Sequence, residues 1–157
     1  MAHPFERGAT VSDSSRDKPF EQITSTANDT VKLFRSLHRK KERQETGLFL
    51  AEGAHFAEEA LINGWRPAYA LADIAALDRD LLLRLRAAGA RVATTTEKVL
   101  GAITGKDNPQ AVVAAFHQRV TPLVDFRPAG QARYVALYEV RDPGNLGTVI
   151  RTADAAG

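Results

Sequence analysis

The sequence predicts an α/β fold, because stretches typical of short buried strands alternate along the chain with stretches that have the period of amphipathic helices. The composition is that of a globular domain, with 44% hydrophobic and 25% charged residues in a chain of 157. Residues that favour helix ends, Gly47, Asn63 and Gly89, stand where the helical stretches stop. Together these observations predict helices packed over a largely parallel or mixed sheet.

Composition excludes several classes of protein. The chain contains no cysteine, which removes disulfides, zinc ribbons and thiol nucleophiles. It has no uninterrupted apolar stretch long enough to span a bilayer. Residues 1–18 combine acidic side chains with no apolar core, unlike a signal or transit peptide. We therefore expect a cytoplasmic protein with no membrane partner.

The expected elements follow one another in a regular order. Residues 1–22 are polar and aperiodic and are predicted to be a disordered tail. The segment TAND then supplies cap residues for one basic helix that ends at Gly47. After it we expect the strand LFLAE, the helix GAHFAEEALING, the strand AYALA, the helix AALDRDLLLRLRAAG, the strand ARVATT, the short helix EKVLGAI and the strand AVVAAF. Residues 23–117 are therefore predicted to form one α/β sandwich.

A second part of the chain is predicted to follow a linker. Residues 118–132 contain two prolines, a glycine and no hydrophobic period. Residues 133–157 then predict the strand YVALYEV, a sharp turn at Pro143 and Gly144, and a helix with Asn145 as its N-cap.

The basic helix carries an uneven charge distribution. From Lys32 to Arg43 the chain has six basic residues and one acidic residue, a net charge of +5 in a chain whose total is +2. On one continuous helix four of these side chains share a stripe opposite an apolar face, and the stripe contains no acidic residue to offset their repulsion. This pattern favours contacts with RNA or DNA phosphates over a solvated face. The candidate RNA-binding residues are Lys32, Arg35, Arg39, Lys40 and Arg43.

The middle of the chain predicts no catalytic motif. GAITGK, residues 101–106, differs from a phosphate-binding loop in its glycine spacing and in having Asp107 where a Ser or Thr would hold magnesium. His55, Glu58 and Glu59 have helical metal-ligand spacing without a distant fourth ligand, so no metal is expected.

The last helix carries residues suited to a site. Gly147 lowers helix stability, which indicates close approach of a ligand or another backbone. Arg151 lies two turns into the helix, where its guanidinium can reach a phosphate near the helix start. The alternative is a generic turn between a strand and a helix, which spacing by itself does not exclude.

Two parts of the chain resemble one family. DPGNLGTVIRTADAAG, residues 142–157, resembles the first motif of the SpoU/TrmH branch of the SPOUT family of RNA ribose 2′-O-methyltransferases. ITSTANDTVKLFRSLHRKKERQETGLFLAEG and NPQAVVAAF resemble the N-terminal substrate-binding domain of that family, a ribosomal-protein-like α/β sandwich. Ala111 departs from the glycine that such domains often carry.

The resemblance implies transfer of a methyl group from S-adenosylmethionine to a ribose 2′-hydroxyl of ribosomal or transfer RNA. It places the active-site asparagine and arginine of the family at Asn145 and Arg151. A guanidinium is a poor base. We therefore expect Arg151 to clamp an RNA phosphate and orient the hydroxyl, and Asn145 to fix the loop or the ribose.

The resemblance also implies a truncated SPOUT domain of knotted α/β fold, of which this chain holds the first strand and helix. The motifs that build the donor pocket and most of a homodimer interface would follow Gly157. We therefore expect the chain by itself neither to bind S-adenosylmethionine nor to methylate RNA. Two other classes stay open: a non-catalytic RNA-binding module, and a nucleotide-binding half-domain unrelated to methyl transfer.

Overall fold

A mixed five-stranded sheet forms the centre of the fold, which confirms the α/β prediction. The computed structural model describes residues 19–76, 79–127, 130–131 and 133–157. In chain order the elements are β1 (Glu21–Gln22), α1 (Asp29–Ser36), α2 (Lys40–Thr46), β2 (Leu48–Glu52), α3 (Ala54–Ile62), β3 (Pro67–Ala72), α4 (Arg79–Ala87), β4 (Arg91–Thr94), α5 (Glu97–Thr104), β5 (Val112–His117), a 3₁₀ turn (Leu123–Asp125) and α6 (Pro143–Ala155).

The strands lie in the order β1-β4-β3-β5-β2. The pairs β1/β4 and β3/β4 are parallel, whereas β5 runs antiparallel to both of its neighbours, β3 and β2. Residues Val112–Phe116 of β5 are buried, because the strand has a neighbour on each side and helices above and below. The sheet is therefore mixed, and its most buried strand, β5, is the last of the five strands in chain order.

Helices cover both faces of the sheet. Successive side chains of a strand point to opposite faces. Val113 and Ala115 of β5 accordingly belong to a core cluster with buried residues of α1 and α5. Val112 and Phe116 belong to a second cluster with residues of α3 and α4. The arrangement is a three-layer sandwich, and its two cores explain why the strands read as near-continuous apolar runs.

The predicted tail does not extend to residue 22, since Glu21–Gln22 form β1 and pair with β4. Residues 1–18 lie outside the described part of the chain. The buried Thr95 hydroxyl donates to the carbonyl of Ile23 at 2.6 Å, which ties this segment to the sheet. The backbone N–H and C=O groups along the edge of β4 need hydrogen-bond partners, and the backbone of β1 and Ile23 provides them.

The prediction of one basic helix is wrong. The segment forms α1 and α2, and Arg39 between them has an extended backbone with ψ of 134°. Leu37 ends α1 and is buried, while α2 contains no buried residue. His38 Nε2 lies 2.8 Å from the carbonyl of Ile103, and because a carbonyl only accepts, the ring donates. The turn thus buries Leu37 against α5, which a regular helical period does not reveal.

The described residues fall into two units that divide between Arg119 and Val120. In the second unit the predicted strand YVALYEV is wrong, since residues 134–140 form no strand and their side chains are exposed. A strand requires a hydrogen-bonded neighbour, and the described residues of this unit include no second strand. The sequence pattern shows that residues 134–140 are mostly apolar, but it does not show whether another strand pairs with them.

The last helix begins before the predicted position. Asp142, not Asn145, is its N-cap, and the Asp142 carboxylate accepts a hydrogen bond from the Gly144 N–H at 3.0 Å. Pro143 takes the first helical position, where its fixed φ and missing N–H are favourable. Asn145 therefore lies inside the first turn of α6, with its side chain exposed.

No helix among the described residues is both long enough and apolar enough to cross a membrane. The same residues hold no group of three or more His, Cys, Asp or Glu side chains arranged for a metal ion.

Candidate functional site

The first candidate surface is a cationic depression at the α1/α2 junction. Lys32, Arg35, Ser36 and Arg39 line a volume of about 380 Å³. The break between the helices therefore does not disperse the predicted basic residues, because three of them converge on one depression. We call this the α1/α2 depression.

The predicted absence of acidic partners is wrong for part of this set. Lys32 Nζ lies 2.9 Å from Asp29 Oδ1, and Arg39 Nη2 lies 3.3 Å from Glu42 Oε1. Asp29 lies three residues before Lys32, and Glu42 lies three residues after Arg39, so both acids are outside or beside the predicted stripe. Exposed pairs of this kind contribute little to stability, about 0–1 kcal/mol, so a phosphate can displace them.

Arg35 and Lys40 have exposed side chains, and within the described part of the chain neither forms an ion pair. Their charges are therefore compensated only by solvent. Arg35 also lines the depression, so of the predicted set it is a guanidinium that is exposed, without an ion pair among the described residues and placed in a concave wall.

Arg43 differs from the other predicted RNA-binding residues because its guanidinium donates hydrogen bonds to main-chain carbonyls. Its Nη1 donates to the carbonyls of Leu37 and His38 at 2.9 and 2.8 Å. These carbonyls lie at the end of α1, where the helix leaves acceptors without intrahelical donors. The guanidinium therefore caps α1 and holds the turn, and it does not line the depression.

A cavity of about 890 Å³ was not predicted. It lies beside the outer strand β2 and α3, with Phe56 and Trp65 in its wall together with Glu52 and Glu59. The Phe56 side chain is 62% exposed. Lys106 also lines the cavity and pairs with Glu52, so the two carboxylates leave the wall with a small negative charge, which is unfavourable for RNA phosphates.

Helix α6 carries the predicted catalytic residues. Arg151 Nη2 donates to Thr148 Oγ1 at 3.2 Å, so the guanidinium folds back toward the start of the helix. A Cβ on residue 147 would lie 3.3 Å from Arg151 Nη1. The close approach that Gly147 indicated is thus made by the Arg151 side chain, while Asn145 stands free in the first turn.

The described residues of the second unit do not enclose a cofactor. None of residues 133–157 is buried. A binding pocket covers most of the surface of its ligand, which a helix without a buried residue does not do.

The described residues thus form a three-layer α/β domain with a cationic depression and a separate unit that carries Asn145 and Arg151 on one helix. The chain belongs to the MRM3-like substrate binding domain family, which residues 28–114 match.

Similar proteins carry names from one class of enzyme. The chain is 40% identical over 139 residues to the Bacillus subtilis (strain 168) protein named 23S rRNA (guanosine(2553)-2′-O)-methyltransferase RlmP, covering 87% of this chain and 52% of that protein. A crystal structure of an rRNA methyltransferase from Sinorhizobium meliloti matches with a TM-score of 0.76 and 45% identity, covering 87% of this chain and 52% of that one. The AdoMet-bound structure from the same organism matches with a TM-score of 0.75 and 45% identity, covering 87% and 51%.

The chain therefore spans about half the length of the relatives it matches. The matches confirm the resemblance to RNA 2′-O-methyltransferases that the sequence indicated.

Proposed function

We propose that this chain supplies the RNA-binding domain and part of the active site of an S-adenosylmethionine-dependent ribose 2′-O-methyltransferase that acts on ribosomal RNA. The observation that carries the proposal is the 40% identity to a 23S rRNA 2′-O-methyltransferase, which covers 87% of this chain. The cationic α1/α2 depression agrees with a substrate that is a polyanion.

The residues of this chain have separate tasks in the proposed reaction. The α1/α2 depression binds phosphates and sets the position of the RNA. Arg151 holds a phosphate beside the reacting ribose, since a guanidinium remains charged and binds phosphate oxygens in a fixed fork. Asn145, exposed in the first turn of α6, can donate to and accept from a ribose hydroxyl. Holding the hydroxyl in one orientation lowers the barrier by reducing the entropy lost on reaction.

S-adenosylmethionine supplies the methyl group in the proposed reaction, and the described residues do not enclose it. In a protein of the relatives' length we expect a cytoplasmic homodimer. The exposed apolar side chains of the second unit favour packing against further protein; they are Tyr134, Val135, Leu137, Tyr138 and Val140.

The test uses a chimera in which residues 1–157 replace the matching half of the Bacillus subtilis relative. We expect the chimera to transfer labelled methyl groups from S-adenosylmethionine to 23S rRNA. Arg151→Ala should abolish transfer while the Kd for RNA changes less than about 3-fold, because the interaction serves the transition state more than ground-state binding. The 157-residue chain by itself should bind RNA and show no heat of binding with S-adenosylmethionine.

Two outcomes contradict the proposal. A chimera that binds both RNA and S-adenosylmethionine but transfers no methyl group would leave a non-catalytic RNA-binding module. A chain that does not bind RNA would remove the substrate-binding role as well. Asn145→Ala, an exposed substitution, serves as a second probe of the same helix.

A further inference from the structure

A second cationic depression lies at one end of the sheet, away from the predicted basic segment in sequence. Its volume is about 350 Å³, and its wall includes Thr46, Arg66, Tyr69, Arg91 and His117. These residues come from four different segments of the chain, so no charge run marked them in the sequence. We call this the sheet-end depression.

Sheet topology brings these residues together. Strands β2, β3 and β4 begin at this end of the sheet and the antiparallel β5 finishes there. In the register Leu48 lies opposite His117, and Tyr69 lies opposite Arg91. Arg66 directly precedes β3, and its carbonyl accepts a hydrogen bond from the His117 N–H at 3.0 Å. The fold thus fixes the backbone positions that present the basic side chains.

The sheet-end depression has positive charge without an acidic counterpart. No Asp or Glu lines it, and within the described residues neither Arg66 nor Arg91 forms an ion pair. Both arginine side chains are exposed. The Arg91 guanidinium carbon lies 6.0 Å from the centre of the Tyr69 ring, which limits its orientation. Two guanidinium groups in a concave wall that no acidic residue lines favour an anionic ligand.

Helix α2 connects the two depressions. Its N-cap, Arg39, lines the α1/α2 depression, and its last residue, Thr46, lines the sheet-end depression. Seven helical residues advance about 10 Å, comparable with about three stacked nucleotides of one strand. One RNA strand is therefore long enough to contact both.

We propose that the sheet-end depression is a second RNA phosphate-binding site, in which Arg66 and Arg91 contact the strand that the α1/α2 depression also holds. The inference rests on the proposed function, because it extends the same RNA surface. The opposite choice, a path through the 890 Å³ cavity, would bring phosphates against Glu52 and Glu59. The RNA track thus runs along α2 and ends at the arginine pair.

The experiment measures binding of the 157-residue chain to a labelled oligouridylate of about 20 nucleotides over a range of salt concentrations. Arg66→Gln and Arg91→Gln together should reduce the magnitude of the log–log salt slope by about 1.4, since each single-strand phosphate contributes about 0.7. Arg66→Lys and Arg91→Lys keep the charges and should retain most of the slope. Lys98→Gln is the matched control, because Lys98 is exposed on α5 and lines neither depression.

The outcomes separate this inference from the proposed function. If Arg35→Gln weakens binding and the Arg66/Arg91 pair of Gln substitutions does not, the second site is overturned and RNA binding stands. If the unsubstituted chain does not bind the oligonucleotide, both are overturned. Unchanged circular dichroism and unfolding midpoints in the Gln and Lys variants establish that the slopes compare folded proteins.

Discussion

Arg35 and Arg43 belong to one basic run, yet their surroundings assign them different roles. Arg35 is exposed, lines the α1/α2 depression and has no ion pair within the described part of the chain. Arg43 is half-buried and donates to two carbonyls at the end of α1. Sequence shows the charge of both residues. It does not show which guanidinium is used internally, because that depends on the turn at Leu37.

A paired substitution tests this division at the residue scale. Arg35→Gln should lower the magnitude of the RNA salt slope by about 0.7 and leave the unfolding midpoint unchanged. Arg43→Gln should lower the free energy of unfolding by about 1–2 kcal/mol, because two carbonyls lose a charged donor, with little effect on the slope. Thermal unfolding and salt-dependent binding provide the two measurements. Equal loss of slope in both variants would mean that Arg43 also contacts RNA.

At the scale of elements, sequence pattern located most of the first unit. The strand LFLAE coincides with β2, and the predicted central helices and strands overlap α3, β3, α4, β4, α5 and β5. These elements bury one or two faces, so their hydrophobic period is strong. Two of the wrong predictions, one basic helix and the strand YVALYEV, concern features that depend on tertiary partners. A local period contains no information on whether Leu37 finds a core or residues 134–140 find a neighbouring strand.

Helix α6 allows a test of how Gly147 serves Arg151. Gly147→Ala should raise the helix stability of Pro143–Ala155 by about 0.5–1 kcal/mol, because alanine is the better helix former. The new Cβ lies 3.3 Å from Arg151 Nη1, and a flexible guanidinium end can move aside. Cα chemical shifts of the helix should report the gain. In the chimera the same substitution should reduce methyl transfer, because it displaces the guanidinium.

Gly144→Ala is the control for that experiment. Its Cβ would meet the capping Asp142 carboxylate at 3.4 Å, so the gain in propensity is offset by disturbance of the cap. If Gly147→Ala leaves both the chemical shifts and methyl transfer unchanged, the glycine does not determine where Arg151 lies.

At the scale of the whole molecule, the chain divides after Arg119. We propose that residues 23–117, extended by β1 before them and by residues 118–119 after them, are an independently folding RNA-binding domain, and that residues 133–157 belong to another domain. The Arg119 guanidinium lies 5.0 Å from the centre of the Trp65 ring and donates to the Gly64 carbonyl. These contacts fix the end of the first unit.

Limited digestion with trypsin tests the boundary. Cleavage should occur first after Arg133 or Arg141, which are exposed, since trypsin does not cut the bond between Arg127 and the proline that follows it. A fragment whose C-terminus is Arg119 or Arg133 should then persist, because its core is buried on both faces of the sheet. Mass spectrometry identifies the ends. Early cleavage inside α3 or α4 would contradict the proposed domain.

The position of β5 has a consequence for the time course of folding. This strand is the last of its domain to be synthesised, yet it lies between β3 and β2. Until it emerges from the ribosome, β2 has no hydrogen-bonded neighbour, although it was made some sixty residues earlier. Until then, the strands made before β5 form an incomplete sheet with an exposed apolar edge. Closure of the β2/β5 pair, a contact of large sequence separation, is the step that we expect to set the folding rate.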